Sequence, residues 1–116
     1  MELHVKNSLE EWKQEIGVLL NEIDDEYDQV KKELQVYMYK FSITKQVVQS
    51  TSNAELNRKI RELYHEPFET KYNELKEYIK ELEEKKRVFQ MFVDKIDKVK
   101  EKEEVRPYSF AQADPT

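Results

Sequence analysis

The chain of 116 residues carries 20 Lys and Arg against 25 Asp and Glu, a net charge of −5, with 39% charged and 38% hydrophobic residues. That is room for one domain, with more charge and less apolar content than the roughly 25% and roughly 45 to 50% of an ordinary globular chain, so a thick layered core is excluded. One Gly and three Pro remove the punctuation that strands, hairpins and phosphate-cradling loops need. The absence of Cys excludes disulfides, thiolate metal sites and cysteine nucleophiles. Seven Tyr, five Phe and one Trp, with apolar residues recurring at a helical period, separate the sequence from a disordered one. The expected class is all-α.

Ser8 and Glu11 have the spacing of a capping box, which predicts a first helix over about 8–49. Along it Leu9, Trp12, Ile16, Leu19, Ile23, Tyr27, Val30, Leu34, Tyr37, Phe41, Thr44 and Val48 step by three and four, a heptad seam with one stutter between Ile23 and Tyr27. Gln49 to Asn53 then breaks the pattern with residues that bond their own backbone, which predicts a turn. Ser52 and Glu55 repeat the capping-box spacing, so a second helix is expected at once, over about 53–104. So short a connection makes the two helices antiparallel neighbours.

The second helix carries Leu56, Ile60 and Leu63, meets Pro67, and resumes with Phe68, Tyr72, Leu75, Ile79, Leu82, Phe89, Val93 and Ile96. The register slips by one residue at Pro67. A proline removes a backbone hydrogen bond and crowds the preceding turn, so a kink or short break is expected around His65 to Phe68. Lys86 falls on the seam and must extend its ammonium to water. Folding the chain about its turn sets Val48 against Leu56, Phe41 against Leu63, Val30 against Leu75, Ile23 against Leu82, Ile16 against Phe89 and Trp12 against Phe92. Apolar meets apolar along almost the whole length, which predicts an antiparallel two-helix hairpin, coiled-coil-like, over residues 1–104. Asp97 to Arg106 has no partner in this alignment and reads as a free helical extension that Pro107 ends, leaving 105–116 as a flexible, non-helical tail.

Little here suggests catalysis. His4 and His65 lie far apart without a ligand-like second His or carboxylate. The acidic stretch from Asn21 to Asp28 lacks the mid-loop Gly of a calcium loop, and Ile23 and Tyr27 carry the seam through it. With Gly17 the only glycine, no Gly-rich phosphate loop or nucleophile elbow can form. Lys and Arg are interleaved with Glu, so no face accumulates the positive charge that phosphate contacts demand. The expectation is a non-enzyme with no cofactor, no metal and no nucleic-acid partner. The N-terminal residues hold no apolar run of signal-peptide length, and no stretch approaches the roughly 18 apolar residues of a membrane span. A cytoplasmic protein is expected, or one exported without a cleaved signal.

What remains is apolar surface beyond the hairpin seam. Val36, Tyr39, Ile43 and Val47 form a second stripe on the first helix, and Val18, Leu20, Tyr64, Tyr78, Val88 and Met91 also lie off the seam. Two helices cannot bury all of that between them. Self-association into a bundle or docking onto helices of another protein is expected, the stripe being the candidate partner-binding surface.

Near the C-terminus Phe110 and Asp114 are four residues apart, and no other Phe or Tyr has an acidic residue at that spacing. A small, Cys-free helical hairpin with such a tail resembles the WXG100-like proteins of type VII secretion systems. Within them it is most similar to the LXG-associated small helical partners that bind the helical domain of an LXG toxin. The resemblance implies a chaperone-like targeting factor, with Phe110 and Asp114 as a recognition signal for the export machinery. Gln49 to Asn53 stands where that family carries Trp-x-Gly at the turn. A self-associating scaffold, or a cytosolic regulator that binds a helix of another protein, are the alternative readings.

Overall fold

A computed structural model describes residues 1–110 of the chain, with side chains through 102. Helix α1 spans Leu3–Ser50 and helix α2 Ala54–Ile60; a π-helical turn covers Arg61–His65, and helix α3 spans Glu66–Phe110. The arm of α2 and α3 packs antiparallel to α1, giving the all-α helical hairpin that the two matching apolar stripes imply. The chain divides into two compact units, one formed by residues 25–84 and the other by 1–24 with 85 onward. Residues 111–116 and the side chains of 103–110 lie outside the description, and with them the expected tail at 105–116.

The connection needs no glycine because side chains satisfy the carbonyls that end α1. The Thr51 hydroxyl donates to the Val47 carbonyl at 2.6 Å, and the Thr51 N–H to that of Val48 at 3.3 Å. The amide of Asn57, one turn into α2, donates to the Val48 and Thr51 carbonyls at 2.7 and 3.1 Å. Asn57 Oδ1 in turn accepts from Arg61 Nε at 2.8 Å. Asn53, in extended conformation, caps α2 by accepting from the Leu56 N–H at 2.9 Å. The cap therefore falls one residue beyond Ser52, because the Asn amide reaches the third N–H of the helix directly.

The break expected near Pro67 is the π-helical turn. In an unbroken α-helix the proline would offer no N–H to the Leu63 carbonyl, and its ring would press on that group. Instead the Glu66 N–H bonds back five residues to the Arg61 carbonyl, which inserts one extra residue ahead of the proline. Inward positions accordingly step from Asn57 and Ile60 to His65, Phe68, Tyr72 and Leu75. This corrects the alignment near the turn. Leu56 and Leu63 point outward, Leu63 being 65% exposed, and Phe41 meets His65 and Tyr72 rather than Leu63.

Two further corrections concern α1. It begins at Leu3, passing through an exposed Ser8, with the N–H groups of Val5 and Lys6 donating to the Glu2 carbonyl. No Gly or Pro interrupts residues 3–7, and extending an existing helix gains a backbone bond per residue without a new nucleus. Its seam also has no stutter. Lys13 and Leu20 are half-buried where Trp12 and Leu19 were expected, so inward positions run 9, 13, 16, 20, 23, 27, 30 and onward in unbroken heptads. Trp12 and Leu19 are left exposed.

Between residues 1–24 and 85–102, Lys13 and Glu10 of α1 supply partners for a stretch expected to be free. Lys13 Nζ lies 2.6 Å from Asp97 Oδ1, Lys100 bonds Glu10, and Lys86, on the seam, reaches Asp24 at 2.7 Å. The backbone of α3 is helical to Phe110. Among the described residues the buried core consists of Ile16, Ile23, Val30, Leu75, Leu82 and Ile96. Six aliphatic side chains on alternating heptad positions are the thin core that the composition implies.

Candidate partner-binding surface

In residues 25–84 the inward side of α1 is taken by Leu34, Tyr37, Phe41, Thr44 and Val48, all half-buried. Val36, Tyr39 and Ile43 each stand two residues after one of these, and Val47 continues their row one turn on. At about 100° per residue this turns the row to the far side of the helix, which α3 cannot reach. All four are exposed, by between 44 and 59%. They form one continuous apolar strip on regular helix, spaced three and four residues apart as a helix-in-groove contact requires.

Aromatic packing on the inward side holds this strip in place. The Phe41 ring stacks on His65 at 5.1 Å and 12°, and on Tyr72 at 5.8 Å and 15°. Tyr37 meets Phe68 edge-on at 6.0 Å, and the Lys40 ammonium lies 4.8 Å above Tyr37 and 5.4 Å above Phe68. The Thr44 hydroxyl donates to the Phe41 carbonyl at 3.0 Å and lies 2.9 Å from His65 Nδ1. The Thr44 hydroxyl thereby ties the end of α1 to the ring of His65 on the other arm. His65 is thus a packing and bonding residue of the π-helical turn, which in turn pushes Leu63 and Tyr64 into solvent.

Beside this seam, Leu34, Met38 and Tyr72 line an open groove of about 520 Å3 with Asp28, Lys31, Lys32 and Gln35 at its edge. The acidic stretch 21–28 is plain helix, with Ile23 buried and Tyr27 half-buried under the Lys31 ammonium at 5.4 Å. Among the described residues no three His, Cys, Asp or Glu converge on a point that could hold a metal ion. Nor is any described helix long and apolar enough to cross a membrane.

The sequence-predicted residues thus separate into two groups. Val36, Tyr39, Ile43 and Val47 stand together on one exposed face. Phe110 is the last residue of α3, while its side chain and Asp114 lie outside the described residues. Sequence reasoning set Thr44 in the seam without its bond to the opposite arm, and passed over Asn57, whose partner lies across the turn. Only Thr44, a polar residue on an otherwise apolar stripe, carried a signal in the sequence. Comparison of the chain with protein-family models, with curated proteins and with solved structures finds no match.

Proposed function

We propose that this chain is a non-enzymatic binding module that docks the strip Val36, Tyr39, Ile43 and Val47 against a helical protein partner. The LXG-type toxin of a type VII secretion system is the partner class we favour, with the chain acting as its targeting factor. The observation that carries the reading is a regular, solvent-exposed apolar face on a helix whose opposite side is fixed by stacked aromatics. Side chains held in place before binding lose less entropy on docking. Affinity comes from burial of the strip, and the interleaved charges on either side of it set register.

Co-expression with the helical domain of an LXG toxin followed by size exclusion tests the proposal. A stable co-eluting complex is expected, and Ile43→Glu should abolish it while leaving helical circular dichroism unchanged. Elution of the chain apart from the toxin domain would overturn the assignment of partner. The variants Phe110→Ala and Asp114→Ala should fold normally and keep the complex but reduce export of the toxin; undiminished export removes the tail from the functional reading.

A further inference from the structure

The unit of residues 1–24 and 85–102 exposes a second apolar face, made by both helices. Trp12 and Leu19 on α1, displaced from the seam by Lys13 and Leu20, stand on the same side as Val88 and Phe92 on α3. The Trp12 and Phe92 rings fix this alignment, touching across the pair with centroids 5.6 Å apart and planes at 56°. Both rings still face solvent, Trp12 being 44% and Phe92 41% exposed. A strip of apolar side chains along each of two adjacent helices is the surface on which another pair of helices would complete a four-helix bundle.

Charge decides which pair. Residues 1–24 hold six acidic side chains and two lysines, a net of −4, whereas residues 85–102 hold seven basic and three acidic ones, a net of +4. Part of this is neutralised by the three ion pairs between the arms. Beside the apolar side chains and beyond them, however, α1 carries Glu15 and Glu11 and α3 carries Lys95, seven residues after Val88, and Lys98, all exposed and in none of those three pairs. The face has an acidic rim on one edge and a basic rim on the other. Such a surface is complementary to itself. If a second copy is related by a twofold axis parallel to the helices, each α1 lies against the partner's α3, antiparallel and acid beside base, and the contact is made twice. A twofold axis across the helices would instead set α1 on α1, with its carboxylates opposed, which the like charges disfavour.

We infer that this face is a homodimer interface in which two chains form an antiparallel four-helix bundle, with Trp12 and Phe92 of both copies at its centre. It is made by other residues than the strip at Val36 to Val47.

Sedimentation equilibrium of the full chain tests the inference. A dimer is expected, weakening as salt screens the rims. The double substitution Lys95→Glu and Lys98→Glu, which opposes like charges, should raise the dimer dissociation constant by about tenfold or more. Adding Glu11→Lys and Glu15→Lys to the same chain should restore the dimer, a rescue that general loss of folding cannot produce. Trp12→Glu should yield a helical monomer by circular dichroism. A wild-type chain that stays monomeric overturns the inference, as does a dimer indifferent to the Lys95 and Lys98 changes. So does a dimer abolished only by Ile43→Glu, which would place the second copy on the other strip and count against the proposed function as well.

Discussion

In residues 25–84 the arms meet through the aliphatic side chains of Val30, Leu75 and Leu82, an ion pair of Lys71 with Glu33, and rings near the turn, Phe41 stacked on His65 and Tyr72 and Tyr37 edge-on to Phe68. In residues 1–24 with 85–102 they meet through the aliphatic side chains of Ile16 and Ile96 and three ion pairs between arms. Near the turn the inserted π-helical residue disturbs the seam, and broad, flat rings fill the altered spacing while keeping the opposite face of α1 free of its neighbour. Away from the turn the heptad is regular. There Lys13, Lys86 and Lys100 sit on or beside the seam because each finds a carboxylate across it, which leaves Trp12 and Phe92 facing outward. Each region thereby exposes apolar surface, for a different reason.

The largest test of this contrast is removal of one buried aliphatic from each region. Leu75→Ala and Ile96→Ala should each cost about 2 to 5 kcal/mol if the neighbours cannot collapse into the space. Thermal and urea denaturation report the loss. If the two arms of the experiment differ widely, one region's seam is not a packed core. A smaller effect is expected at the turn. Asn57→Ala leaves the Val48 carbonyl without its side-chain donor and should destabilise the chain by about 1 kcal/mol, the usual net worth of such a bond. An unchanged midpoint would mean that water replaces the amide at no cost.

The smallest effect is electrostatic and belongs to residues 1–24 with 85–102. The hydrogen bond from the Lys100 ammonium holds the Glu10 carboxyl below its ordinary value of 4.5, against a weaker opposing effect of burial. Its contribution to stability is therefore present above that value and lost as pH falls through the lower, folded-state value. Asp97, bonding Lys13, raises that ammonium above 10.5, so its contribution is present below that pH and lost as pH rises through the folded-state value. The difference in melting temperature between wild type and Glu10→Gln should accordingly be present near neutral pH and shrink in acid. A difference that persists at low pH would show that Glu10 acts through packing of its stem rather than its charge.

Much of this architecture was legible in the residues. The two arms, the short connection, the break before Pro67 and the surplus strip from Val36 to Val47 all follow from spacing. Helical periodicity records which residues share a face whatever that face later touches. The misplacements have particular causes. Hydrophobicity favours Trp12 over Lys13 for the seam, and the alternation of three and four from Trp12 then selects Leu19 over the equally apolar Leu20. The sequence shows hydrophobicity but not the carboxylate of Asp97 that lets a lysine lie there. Leu63 was turned inward because a proline announces a disturbed helix without saying that the repair is one added residue upstream. Asn57 resembled an ordinary polar helix residue until the end of α1 was brought within 2.7 Å of its amide.

By itself, then, the sequence determined that this chain forms two antiparallel helical arms with too little core and too much apolar surface, since periodicity and composition are local and additive. The tertiary structure alone decided which apolar residues are surplus. Burial depends on what stands opposite. A one-residue change of phase at the π-helical turn, or one lysine finding its partner on the other arm, moves a leucine or a tryptophan from the inside of the pair to the surface where another protein can meet it.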